Sequence, residues 1–129
     1  MPVIGSGIIG DSNTFNLKQI DLSKVRKEVF DFLVADEDLI QAFETIRDQV
    51  VFTTKRILVL NVQGITGKKK SYISYPYSKV QYFGIETAGV LDIDSELLLA
   101  FNDGSKLSFD FKSNVDITKI SKCIAQFVL

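Results

Sequence analysis

The sequence predicts a mainly β domain of the α+β class, a barrel or sandwich flanked by helices rather than a series of βαβ units. Three observations lead there. Between residues 38 and 111, six or seven short apolar or alternating segments follow one another with turn residues between them. On both sides of that stretch the apolar residues switch to helical spacing. The chain has 129 residues, 46% of them apolar, with ten phenylalanines and four tyrosines. That is one domain's worth, able to bury roughly two-thirds of its unfolded surface without a disulfide or structural metal.

The elements follow in order. Residues 1–21 are rich in Gly, Ser, Asn and Asp and read as a flexible lead-in. Leu22, Val25, Val29, Phe30 and Leu33 then fall at helical spacing, which predicts a first helix over about 22–34 with Asp21 as its N-cap. The stretch 38–50 fits two descriptions. Leu39, Ile40, Phe43, Ile46 and Val50 suit a helix, which pattern alone favours, whereas Leu39, Gln41, Phe43 and Thr45 alternate as in a strand. Val50–Thr53 is β-branched and short, and Ile57-Leu58-Val59-Leu60, within Arg56–Val62, is apolar on both faces as a buried strand is. Gly64-Ile65-Thr66-Gly67 is turn material, and Ser71–Tyr75 alternates until Pro76 stops it. Lys79–Glu86 is a further strand, closed by Ala88 and Gly89. In Ser95–Phe101, Leu97, Leu99 and Phe101 take one face while Glu96, Leu98 and Ala100 take the other. Asp103-Gly104 signals a hairpin, after which Leu107, Phe109 and Phe111 alternate with Lys106, Ser108 and Asp110. Ile117, Ile120, Ile124, Phe127 and Val128 predict a C-terminal helix over about 116–128, capped by Asp116, with Val115 stapled onto Ile120.

Composition narrows the chemistry. Fifteen Lys+Arg against sixteen Asp+Glu leave a net charge of −1, so no global field draws nucleic acid or an acidic membrane. There is no histidine, which excludes Ser-His-Asp and Cys-His couples and zinc sites that need histidine ligands. A single cysteine, Cys123, forms no internal disulfide and sits on the apolar side of the last helix as a small core residue. Residues 1–10 lack the basic start and long apolar run of a secretory signal, and the apolar runs elsewhere are far shorter than a membrane helix requires. The expectation is a cytoplasmic, non-enzymatic protein without cofactor or metal.

Several motifs invite functional readings. Gly5-Ser6-Gly7-Ile8-Ile9-Gly10 matches GxGxxG in letters, but no βαβ context surrounds it, so it reads as part of the lead-in. Gly64–Lys69 lacks the first glycine and the Ser or Thr of a phosphate loop. Lys55, Arg56, Lys68 and Lys70 form the candidate site for an anion or an acidic partner. On a strand Lys68 and Lys70 face the same way and Lys69 the other. Asp92, Asp94 and Glu96 line one strand face, which Leu98 and Ala100 continue as apolar. The calcium loop of an EF-hand needs glycine where Leu97 stands, so the row reads as an oligomer interface whose acids meet lysines of a neighbouring subunit.

Taken together, Phe52-Thr53-Thr54-Lys55-Arg56, Gln63–Lys69, Pro76-Tyr77, Glu86–Gly89 and Asp92–Glu96 resemble, in that order, the bacterial pleckstrin-homology (PH-like) domain family in its standalone form. The resemblance covers residues 22–129. It implies a seven-stranded, strongly bent β-barrel capped by the C-terminal helix, an extra N-terminal helix, and homo-oligomers that often close into rings. It also implies that 38–46 is the first strand rather than a helix, and no known enzymatic reaction. Eukaryotic PH domains that bind phosphoinositides use basic residues around the first hairpin; here Ile46-Arg47-Asp48-Gln49 sets one Arg beside an Asp. The expected function is therefore a binding or scaffold domain that assembles with itself. The alternative is a peripheral binder of an anionic ligand or membrane headgroup through the lysines.

Overall fold

The computed structural model describes residues 14–87, 95–111 and 115–129. Strands β1 (Thr14–Ile20), β2 (Leu39–Glu44), β3 (Gln49–Thr53), β4 (Arg56–Gln63), β5 (Lys69–Pro76), β6 (Val80–Thr87), β7 (Ser95–Phe101) and β8 (Lys106–Phe111) form one sheet. Its order is β5-β4-β3-β2-β1-β8-β7-β6. A one-turn helix, α1 (Lys27–Phe30), and a three-turn helix, α2 (Ile117–Val128), accompany it. The expected seven-stranded barrel is thus an eight-stranded sheet that does not close, with β5 and β6 as its free edges.

The additional strand is β1, and, with residues 1–13 and their glycine motif outside the described residues, it corrects the lead-in reading over Thr14–Ile20. Its first residues run parallel to β8, from Thr14 opposite Ser108 to Leu17 opposite Phe111. Its last residues run antiparallel to β2, from Lys18 opposite Glu44 to Ile20 opposite Ala42. One strand therefore joins β2–β5 to β6–β8. Leu17 is fully buried while Asn16, Lys18 and Gln19 are exposed, so its polar composition conceals it. The ladder that makes it a strand comes from distant partners, which local periodicity cannot report.

The first helix is also corrected. Instead of a run over 22–34, Leu22–Lys24 forms a single 3-10 turn, capped by the Asp21 carboxylate accepting from Ser23 N–H. Val25 and Arg26 are then extended, and α1 lasts only four residues. Gln49 on β3 is the cause. Its amide donates to the Lys24 carbonyl and accepts from the Arg26 N–H, at 3.1 and 3.0 Å, taking backbone groups that a helix would have used. The predicted apolar residues still do their work: Val25 and Val29 pack against Ala42, Val51, Leu58 and Leu60 on the outer face of β2–β4.

With that segment outside and the barrel interior inside, β3 and β4 are covered on both faces. This accounts for the unbroken buried runs Val50–Thr53 and Ile57–Leu60. Residues 39–44 are strand, as the resemblance implied and against the helical pattern. The interior is aromatic where the halves of the sheet meet: Phe43 lies 4.8 Å from Phe111, and Phe52 lies 5.7 Å edge-on to Phe109. The Asp103–Gly104 turn forms as expected, with Gly104 at φ 89°. Helix α2 packs on the Tyr77–Lys79 turn and on β6, burying Ile120, Cys123 and Ile124. Asp116 caps it by accepting from Lys119 N–H.

Thr53 is where these parts meet. Its hydroxyl donates to the Glu37 carboxylate at 2.6 Å and accepts from the N–H groups of Lys55 and Arg56. Its carbonyl accepts from the Tyr77 hydroxyl at 2.6 Å and from the Cys123 thiol of α2 at 3.5 Å.

Leu17→Ala tests whether β1 belongs to the core. Removing a fully buried leucine is expected to destabilise by about 3 kcal/mol in urea denaturation. A change under about 0.5 kcal/mol, typical of a solvated position, would mean that β1 is dispensable.

Candidate functional site

The four cations singled out in the sequence do not converge. Arg56 opens β4 opposite Pro76, with Lys55 just before it, while Lys70 stands opposite Val62 near the start of β5, with Lys68 just before that strand. Seven residues of strand separate the two ends, about 23 Å at the usual rise. Two of the four are also engaged within the chain. Arg56 makes an ion pair with Glu37 at 2.8 Å, donates to Ser74 Oγ at 2.9 Å and to the Phe32 carbonyl. Lys70 pairs with Glu28 at 2.7 Å. Lys55 and Lys68 are exposed, and so is Lys69.

Arg56 takes part in a buried network. The Glu37 side chain is fully buried. Burial pushes its carboxyl up, but the hydrogen bonds from Arg56, Thr53 and the Val34 N–H outweigh that and hold its pKa below the ordinary glutamate value.

The β2–β3 and β4–β5 hairpin tips stand side by side. Arg47 donates to the Gly64 carbonyl, and the buried Asp48 accepts from Val62 N–H at 2.7 Å. Gly64 and Gly67 both have positive φ, at 80° and 69°, which the tight turn requires. This geometry leaves Ile46 on one tip and Ile65 on the other fully exposed, with Lys68 and Lys69 next to them. Turn composition alone did not single out either isoleucine.

The second candidate surface is the outer face of β6–β8. Asp92 and Asp94 lie outside the described residues. Glu96 stands directly between Glu86 on β6 and Asp110 on β8, so these three acids form a row across strands. The contact with Asp110 above all, then burial and the charges of Asp110 and Glu86, raise the Glu96 pKa. Leu98, between Gly84 and Ser108, is half-buried and borders a recess of about 150 Å³ lined also by Ile85 and Glu86. Ala100 is buried between Tyr82 and Lys106 and presents little surface. Asp110 was missed because its approach to Glu96 depends on strand register.

The bacterial PH domain profile matches residues 8–128. The chain belongs to the bacterial PH domain family. Two Bacillus subtilis proteins are similar to it: YjqA, 37% identical over 122 residues covering 92% of this chain and 93% of that one, and YozO, 27% identical over 100 residues covering 78% and 86%. Among solved structures it is similar to a pleckstrin-homology-domain protein of Shewanella loihica, with TM-score 0.73, 38% identity and coverage of 89% of this chain and 99% of that one. A pleckstrin-homology domain of Shewanella amazonensis matches with TM-score 0.60 and 40% identity, over 85% and 90% of the two chains. The PH-like fold of the sequence reading therefore holds, with one strand more than expected.

In this bacterial PH domain the first hairpin of the PH-like core, β2–β3, uses Arg47 to brace its neighbour. Among the described residues no three side chains of metal-binding type cluster, and no helix is long and apolar enough to cross a membrane. Burial pushes the Cys123 thiol up, which keeps it protonated and unreactive.

The two glutamates should respond to pH with opposite signs. The lowered pKa of Glu37 means that its ionised form stabilises the fold above its unfolded pKa, and that this is lost as pH falls through the folded value. Glu37→Gln should therefore cost about 3 kcal/mol at neutral pH and less in acid. The raised pKa of Glu96 means that the fold gains below its unfolded pKa and loses that gain as pH rises through the folded value. Glu96→Gln should stabilise at pH 7, with no difference below about pH 4. Thermal melts across pH 3–8 read both; a destabilised Glu96→Gln at pH 7 would contradict the carboxylate row.

Proposed function

We propose that this chain is a non-enzymatic binding and scaffold domain of the cytoplasm that assembles with copies of itself into a closed ring. The observation that carries it is the row Glu86, Glu96 and Asp110 beside the half-buried Leu98. Like charges directly opposed across strands destabilise an isolated sheet, and cations brought by a neighbour relieve them. Lys68 and Lys69, exposed at the β4–β5 tip of the same chain, are of the right sign. A contact between two unlike surfaces of one chain is heterologous, and such contacts close into rings when the rotation allows. Acidic rim and apolar centre also suit an interface. Light scattering should give a mass that is a multiple of 14.4 kDa, reduced by Lys68→Glu with Lys69→Glu and by high salt. A 14.4 kDa particle at micromolar concentration would end this reading.

A second reading, peripheral binding to an anionic membrane, is favoured by the fully exposed Ile46 and Ile65 flanked by Lys68 and Lys69. Apolar tips enter the headgroup boundary and lysines attract anionic lipid. Sedimentation with phosphatidylglycerol vesicles should exceed that with phosphatidylcholine and fall on Ile46→Ser with Ile65→Ser. Equal recovery from both vesicles rules it out.

A further inference from the structure

The two free edges of the sheet differ. On β5 stand Lys69, Lys70 and Pro76; Lys70 is held by Glu28, and Phe32 stacks on Tyr72 with ring centroids 4.2 Å apart. Lysines, prolines and covering segments are what keep a sheet edge from recruiting another strand. β6 lacks them. From Gln81 to Thr87 it has no lysine and no proline, every residue but Phe83 is exposed, and among the described residues its one strand neighbour is β7. Tyr82 is 49% exposed and Ile85 37%, large side chains to leave on an unpaired edge.

We propose that β6 pairs with β6 of a second copy, antiparallel, across a two-fold axis at Gly84. This deepens the self-assembly reading and rests on it. In such a pair, residues directly opposite share a face of the sheet, so one residue must meet its own counterpart. Gly84 is the midpoint of Gln81–Thr87, so this register uses the whole exposed run. It sets Tyr82 opposite Glu86 of the second copy and Phe83 opposite Ile85, an apolar pair. Centring on Glu86 would oppose two carboxylates, and centring elsewhere leaves part of the run unpaired. Gly84 also admits the approach, since nothing lies within 4 Å of where its Cβ would be. A two-fold contact added to a ring makes a pair of rings with an even number of subunits.

The same open space lets Gly84 be replaced without disturbing the monomer. Gly84→Cys in the full chain, oxidised and run on a non-reducing gel, is expected to give a disulfide-linked dimer. Directly opposed Cα atoms lie about 4.5–5.5 Å apart, within disulfide reach. Gln81→Cys, away from the axis, should not crosslink, and the parent protein controls for the buried Cys123. Gly84→Lys sets two ammonium groups against each other and should halve the mass seen by light scattering while the circular dichroism stays unchanged. Absence of the Gly84→Cys crosslink, or a parent-like mass for Gly84→Lys, overturns the proposal. A monomeric parent would overturn it together with self-assembly; an oligomeric parent indifferent to both changes would overturn the β6 contact alone.

Discussion

The covers of this sheet are fastened at one threonine. Thr53 gives its hydroxyl proton to Glu37, takes two N–H groups of the following turn, and offers its carbonyl to Tyr77 and Cys123. Through Glu37 it holds Arg56, and with it the segment that carries Phe32 over the outer face. Through Tyr77 and Cys123 it holds the turn between the free edges and the helix that packs beside it. A sheet that does not close needs something else to keep its edges in place, and here that is a set of polar bonds in a dry environment. Bonds of this kind are each modest when made and expensive when one partner is missing. The network therefore defines a single arrangement of α2 and the N-terminal segment more than it adds bulk stability.

What could be read from the sequence divides along a physical line. Strands β7 and β8, the Asp103–Gly104 hairpin and helix α2 were legible because their evidence is local: alternation over two faces, a turn dipeptide, an apolar stripe with Asp116 before it. The segment 22–34 carries an equally good local pattern, yet Gln49 interrupts it from a neighbouring strand. β1 was hidden for the converse reason, since Leu17 is buried between exposed polar neighbours and its partners lie far along the chain. The stretch 38–46 shows resemblance succeeding where periodicity misleads, because both faces of β2 are partly covered.

The candidate surfaces follow the same division. Residue type pointed to Arg56 and Lys70, but position gives them to Glu37 and Glu28. It also pointed to Glu96, and register adds Glu86 and Asp110 to either side of it across β6, β7 and β8. The near-zero net charge thus conceals unlike surfaces, some neutralised internally and some left facing solvent. A PH-like fold carries no function by itself. What this chain sets on that fold is a distribution of unneutralised groups, the carboxylates on one half-sheet and the exposed isoleucines and lysines on the other.

The parallel pairing of β1 with β8 has a consequence in time as well as in space. On the ribosome β1 precedes every other described strand, yet β8, its partner along Thr14–Leu17, is the last strand made. Closing so long a loop carries the largest entropy cost of the described strand pairings, and non-local pairings of this kind slow folding. Until β8 emerges, the Thr14–Leu17 part of β1 has no partner on that side and its edge stands open to other nascent chains. The strand that is synthesised first is therefore among the last to be seated, and the interval between the two events is when this protein is most exposed to misassembly.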